Sequence, residues 1–427
     1  MKTTNCENLR LLLVGPYPPP YGGIASHLTM LIPGMRARGA EDVAIVSFGD
    51  QDELRQIEGA TLYRFNTKRH LRTLFSWQGL RMLAASIKTL GTAGFGFKQV
   101  ISEAVRAVLI NRIADQHKSQ VVNFYQSDCS LALLPCKQAW GSRRSVMLMI
   151  FGEIFDNPDF FVTRKKFFEK YLASPHAVAS SSKHCACSFA KVLGISQKVE
   201  PVYFGIDLER FSNQELREPY RAKLGVKAEE ALLLFMGRFT EEMGVGRLLE
   251  VGPTLLERFP QVKLLFAGAK GSLSEAVAKF REQYPERVQV LNNIPFELQP
   301  SIYAASDIVL APSHDQHACM GMSIKEAMAA SRPVIGSKSA GIPEAIVHNE
   351  TGLLVPLDEK TQHVDTEALL SCIELLVSNV QLRESMGAAA RSRAETIFSM
   401  ERTNDRMAEL FMTARPVAMT AKPVPAN

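Results

Sequence analysis

Two apolar runs, each closing on a glycine, constrain this chain more than any other feature. The first is Leu9-Arg10-Leu11-Leu12-Leu13-Val14-Gly15, and the second is Ala231-Leu232-Leu233-Leu234-Phe235-Met236-Gly237. A short apolar run without polar alternation predicts a strand covered on both faces, as in a parallel sheet. After each run the pattern alternates between strand and helix periods. Further strands are expected over 43–48, 120–125, 145–150 and 177–180, and again over 263–267, 288–291, 308–311 and 333–336. Helical periods fall between them, at 24–33, 246–258 and 324–330. Such alternation predicts an α/β protein with two Rossmann-like, doubly wound domains facing an interdomain cleft. The length of 427 residues suits two units and leaves little chain for a third. The expected division is 1–205, then 206–397, then a helix over 398–414 packing back on the first domain. The Pro/Ala-rich tail 415–427 is expected to be disordered.

The two halves differ in charge. Residues 1–200 hold 25 Lys and Arg against 15 Asp and Glu, whereas the remainder holds 24 against 29. The basic half contains a stretch, 70–118, that mixes Arg72, Arg81, Lys88 and Lys98 with Leu71, Phe75, Trp77, Leu80 and Phe97, and Arg64, Lys68 and Arg69 precede it. Basic amphipathic segments with aromatics suit an anionic membrane surface, and core-facing helices with solvated basic residues give the same pattern. No nucleic-acid-binding module accompanies the charge, so nucleic acid is not an expected partner. The first apolar run is too short for a signal peptide, and no stretch is long enough to span a bilayer. Seven cysteines at irregular spacing include a lone Cys185-x-Cys187, with no second pair to complete a metal site. Reduced thiols in a cytoplasmic protein, able to sit on the inner face of the cell membrane, are the expectation.

Three loops carry residues suited to chemistry. After the first strand, the prolines of 16–20 stiffen the exit, and Gly22-Gly23 opens the next helix, whose start favours anions. After the second run, Arg238 stands at a strand end, a natural diphosphate clamp. In the third, Pro312-Ser313-His314-Asp315-Gln316-His317-Ala318-Cys319-Met320-Gly321 leads into a helix whose first turn offers free N–H groups. Glu326 lies one turn in, where a carboxylate can accept from ribose hydroxyls. Two metal readings compete: Asp50-Gln51-Asp52, and His314-Asp315-x-His317. Both are incomplete, and no metal is expected.

The segments GPYPPPYGGIASH, YFGIDLERF (203–211), LLLFMGRF (232–239) and PSHDQHACMGMSIKEAMAASRPVIGSKSAGIPEAI (312–346), with HNETGLLVP (348–356), resemble the GT-B-type retaining glycosyltransferases of family 4, the glycosyl transferases group 1. The resemblance spans nearly the whole chain. It implies a retaining, metal-independent hexosyltransferase without a cofactor. The donor would be a nucleotide-diphosphate sugar and the acceptor a saccharide or lipid-linked saccharide in cell-surface polysaccharide or glycolipid assembly. It places Gly22 and Gly23 by the donor phosphates and acceptor, Arg238 on the diphosphate and Glu326 on the ribose. Backbone of Met320, Gly321, Met322 and Ser323 would meet sugar and phosphates, with the base near Asn293 and Ile294. His27, Asp315 and Lys325 are the candidate catalytic side chains. Three positions depart from the family pattern: Met243 for a Lys, Ala318 or Gln316 for a Glu, and Phe151 for a His. Two readings follow, a divergent active enzyme or a degenerate nucleotide-binding scaffold.

Overall fold

The computed structural model describes residues 4–19, 22–125, 130–316 and 319–416. The first sheet contains β1 (Arg10–Val14), β2 (Asp42–Phe48), β3 (Glu53–Ile57), β4 (Ala60–Phe65), β5 (Val121–Tyr125), β6 (Ser145–Ile150), β7 (Ala177–Ser180) and β8 (Glu200–Pro201). Its order is β3-β4-β2-β1-β5-β6-β7-β8, parallel except for the β3–β4 hairpin at the edge. The second contains β9 (Ala231–Arg238), β10 (Val262–Ala269), β11 (Val288–Asn292), β12 (Ile308–Ala311), β13 (Val334–Ser337) and β14 (Gly352–Val355). Its order is β11-β10-β9-β12-β13-β14, parallel throughout.

The founding runs behave as parallel-sheet strands must. In β1, Leu11 and Leu13 enter one core while Leu12 and Val14 enter the core on the opposite face. In β9, Leu233 and Phe235 face one way and Leu232 and Leu234 the other. Each sheet reverses its winding beside its founding strand, between β1 and β5 and between β9 and β12. Crevices for ligands form at the carboxyl ends of strands at such reversals.

Two expectations change. The helix expected to stop at Pro33 runs from Gly23 to Ala37. Leu28, Leu31, Ile32 and Met35 bury against Met407, Ala408 and Phe411 of the helix Met400–Ala414, and that packing outweighs the missing proline N–H. The hairpin β3–β4 was not expected, because β3 is largely exposed and its ELRQI carries no apolar run.

The two halves are joined twice, and the crossings lie side by side. Ile206 N–H donates to Phe398 O at 2.9 Å, and Met400 N–H donates to Ile206 O at 3.0 Å. The second crossing returns the chain to the first domain, where Arg38 grips Asp405 (2.9 Å) and Glu401 (2.6 Å). Of the tail, Arg415 donates to Glu7 O at 3.2 Å, and 417–427 lie outside the described residues. Among the described residues no helix is long and apolar enough to cross a membrane.

Candidate active site in the interdomain cleft

At the reversal of the second sheet, the loops after β9 and β12 interlock. Glu242 O accepts from Ser313 Oγ (2.9 Å) and from His314 N–H (3.0 Å). Gly244 has φ +77°, and a Cβ there would lie 2.0 Å from Pro312 O, so only glycine permits this approach. Arg238 ends β9 exposed to solvent. The β12 loop passes half-buried Asp315, whose N–H donates to Ser313 Oγ, and enters the helix Met322–Ala329 through Gly321. Met320 is buried in the core, so of this group Gly321, Met322 and Ser323 present the open helix start.

A cavity of about 450 Å³ opens beside that helix and is walled by both domains. Ser26, Thr29 and Met30 come from the first domain, one turn beyond Gly22-Gly23. Arg210, Ile294, Phe296, Gln299, Met322 and Glu326 come from the second. Glu326 accepts from Tyr303 Oη at 2.8 Å. Burial raises the Glu326 carboxyl, while the Tyr303 hydrogen bond, Arg210 and Lys325 oppose that shift. The Arg210 guanidinium lies 3.3 Å from the Phe296 ring centre and also donates to Phe296 O. Burial lowers its pKa, and Glu326 and Asp207 counter that.

The structure thus brings Ile294, Met322 and Glu326 into one cavity. Arg238 and Asn293 do not line it. Gly22 and Gly23 are exposed with open space above them. Arg210, Phe296 and Thr29 line the cavity but carried no assigned role in the sequence. Arg210 was within reach, since it lies inside the YFGIDLERF segment.

Two expected catalytic residues are enclosed instead. His27 is fully buried, stacked on Phe204 at 3.7 Å, with Nε2 3.3 Å from Tyr125 Oη. Burial, aided by the Lys325 charge, lowers its pKa to about 3, so it is neutral at ordinary pH. Lys325 is buried and donates to Phe204 O at 2.6 Å. Burial lowers its pKa to about 8, with Cys319 and Glu326 acting the other way. Both side chains serve the seam between domains rather than the open cavity.

Of the departures, Met243 packs against the core beside Gly237. Arg247, a cation four residues further on in the helix Val245–Arg258, is engaged by Glu241 (3.4 Å) and Glu250 (2.9 Å). Phe151 is buried and meets Phe204 edge-on at 5.8 Å. Gln316, the alternative to Ala318 as the Glu-replacing position, is exposed, and its carbonyl oxygen lies 2.9 Å from His184 Nε2. His317 and Ala318 lie outside the described residues. The competing metal readings find other uses: Asp52 accepts from Asn66 N–H (2.7 Å) and lies 3.1 Å from His70 Nε2, while His314 stacks on His363.

Residues 217–393 match the family of glycosyl transferases group 1. This stretch is a group 1 domain. The cavity wall made by Ile294, Phe296, Met322 and Glu326 belongs to it. A D-inositol 3-phosphate glycosyltransferase of Saccharomonospora viridis is 29% identical over 51% of this chain and 50% of its own length. This chain therefore spans about half the length of that curated relative. A GDP-mannose-dependent alpha-(1-6)-phosphatidylinositol monomannoside mannosyltransferase of Mycolicibacterium smegmatis is 22% identical over 95% of this chain and 98% of its own. Among solved structures, Anabaena HepE in complex with UDP and glucose superposes with a TM-score of 0.70 at 17% identity. That match covers 95% of this chain and 100% of HepE. The likeness establishes a GT-B arrangement of two parallel-sheet Rossmann-like domains, with the group 1 domain as the second.

Proposed function

We propose that the protein is a retaining, metal-independent hexosyltransferase. It would move a hexose from a nucleoside diphosphate sugar to a saccharide or lipid-linked acceptor in cell-surface polysaccharide or glycolipid assembly. The observation that carries the reading is the cavity holding Glu326, fixed by Tyr303, next to an open helix start. A fixed carboxylate accepts from ribose hydroxyls, and the Ile294–Phe296 wall is flat and apolar enough for a base. The helix start and Arg238 supply positive potential for a leaving diphosphate, the charge that must be stabilised as the glycosidic bond breaks. The named relatives act on a GDP-sugar, carry an inositol phosphate name, or hold UDP, which supports a nucleotide donor without selecting the base.

An acceptor site is proposed on the first domain. A cavity of about 830 Å³ opens at the ends of β1, β2 and β4, with Lys68, Lys98 and Arg106 on its walls. Leu71 also lines it, and Phe75, Trp77 and Phe97 stand 84%, 78% and 73% exposed in the same segments. Exposed aromatics among basic residues suit an anionic bilayer, and the lysines suit an acceptor phosphate.

Met243 favours a second reading, a nucleotide-binding scaffold without turnover, because it removes one cation from the expected diphosphate site. A panel of UDP-, GDP- and ADP-sugars with lipid-linked acceptors separates the two. Product with one donor supports the transferase. A thermal shift with nucleotide and no product supports the scaffold, and no nucleotide binding at all defeats both.

A further inference from the structure

The seam between the domains holds two thiols that the sequence does not pair. Cys185 lies in the short helix Lys183–Ala186 of the first domain, and Cys319 in the loop after β12 of the second. Their Sγ atoms are 2.8 Å apart across 134 positions of chain. Other contacts hold them there. The N–H groups of Lys183 and His184 donate to the Glu344 carboxylate at 2.8 and 2.7 Å, and His184 Nε2 lies 2.9 Å from Gln316 O. A Cβ on Gly341 would fall 1.2 Å from Cys319 O, so that carbonyl occupies a slot left by the missing side chain.

The two thiols are not equivalent. Cys185 is fully buried, and its hydrogen bond to Cys319 together with burial keeps it protonated. Cys319 is partly exposed. Its thiolate is favoured by the hydrogen bond from Cys185, then by the Ser181 and Ser182 hydroxyls and the Lys325 charge, against burial. This is the pairing of an attacking and a resolving cysteine.

We propose that Cys185 and Cys319 form a reversible disulfide that fastens the two domains across the cleft. The oxidant would be a low-molecular-weight disulfide of the glutathione class. The Cys319 thiolate attacks one of its sulfurs, making a mixed disulfide and expelling one thiolate. Cys185 then gives up its proton and attacks Cys319 Sγ, expelling the second thiolate. Two electrons pass from the protein thiols to the oxidant, and the released protons end on the two small thiols. A disulfide needs about 2.05 Å between sulfurs, so closure asks for a movement of less than about 1 Å. Fastening the β12 loop to the first domain would hold the cleft shut. On the transferase reading above, that would stop product release.

The test begins with the wild-type protein, incubated with oxidised glutathione and digested without reductant. The expected result is a Cys185–Cys319 cross-linked peptide that disappears with dithiothreitol. Oxidation should raise Tm by on the order of 5 °C, a rise absent in Cys319→Ser and Cys185→Ser. Persistent glutathione on Cys319 with Cys185 still free would overturn the proposal. So would a Cys185–Cys187 bond or no reaction at all. If the transferase reading holds, turnover should fall at least tenfold on oxidation and return with dithiothreitol. The cross-link is read by mass, so it stands or falls separately from activity.

Discussion

The two sheets reverse at equivalent places, yet they use those places in opposite ways. In the first domain the reversal is sealed. His27 lies against Tyr125 and Phe204, neutral and without access to solvent. In the second the reversal stays polar and open, with Arg238 exposed at the strand end and the helix start uncapped by any side chain. The first domain opens its basic cavity on the other flank of β1, at the ends of β1, β2 and β4. The comparison teaches that topology designates where a crevice can form, while side-chain size and polarity decide whether it is used.

The comparison can be tested by perturbing each side in turn. The largest effect is expected on the open side from Gly244→Ala, which forces a Cβ onto Pro312 O at a positive φ. A loss of about 3 kcal/mol of stability, read by denaturant unfolding, should accompany displacement of the β12 loop. Unchanged stability would mean that the two loops do not depend on each other. Next, Glu326→Ala should weaken nucleoside diphosphate binding about 100-fold, roughly 2.7 kcal/mol, measured by calorimetry. Wild-type affinity would move the nucleotide out of this cavity.

The sealed side should show itself in acid. The His27 pKa is lowered to about 3 from an ordinary 6.5, so the unfolded chain takes up a proton that the folded one refuses. The associated stability is complete above pH 6.5 and is lost as pH falls from 6.5 towards 3. Between pH 6.5 and 5 the loss is about 2 kcal/mol, and His27→Phe should remove that part of the slope. An identical slope in the variant would show that His27 takes up no proton on unfolding. The smallest effect is expected from Lys68→Ala or Lys98→Ala. Each should weaken co-sedimentation with phosphatidylglycerol vesicles by about 1 kcal/mol, roughly fivefold, and added salt should shrink the difference. Equal binding to phosphatidylcholine vesicles would argue against an anionic surface.

Strands buried on both faces were legible because their apolar runs need no partner to be recognised. β6 (Ser145–Ile150), β7 (Ala177–Ser180) and β12 (Ile308–Ala311) fall where the sequence puts them. β3 was not, since its residues are held by pairing with β4 rather than by burial. Glu326 and Ile294 line one cavity, a juxtaposition implied by the family resemblance and not by any local pattern. The enclosure of His27 was illegible for a different reason. Its partners Tyr125 and Phe204 come from β5 and from the crossing between domains, and a histidine after Gly-Gly reads equally well as a solvent-facing group. Met243 was legible as a departure from the family's Lys, and only packing shows that it lies beside Gly237.

The paired crossings at Ile206 and Phe398–Met400 also bear on how the molecule divides. The helix Met400–Ala414 completes the core beneath Leu28, Leu31 and Met35, so the first domain is assembled from both ends of the chain. In that sense the group 1 unit is an insert within its neighbour, entered and left through adjacent strands of backbone. A fragment ending near residue 205 would leave those three side chains bare and should aggregate. The insert's cores draw on Ile206, Phe211 and Phe398 at the crossings, and Cys319 and Met322 pack against the first domain, so an excised piece would have to carry the crossings with it and would uncover part of its neighbour.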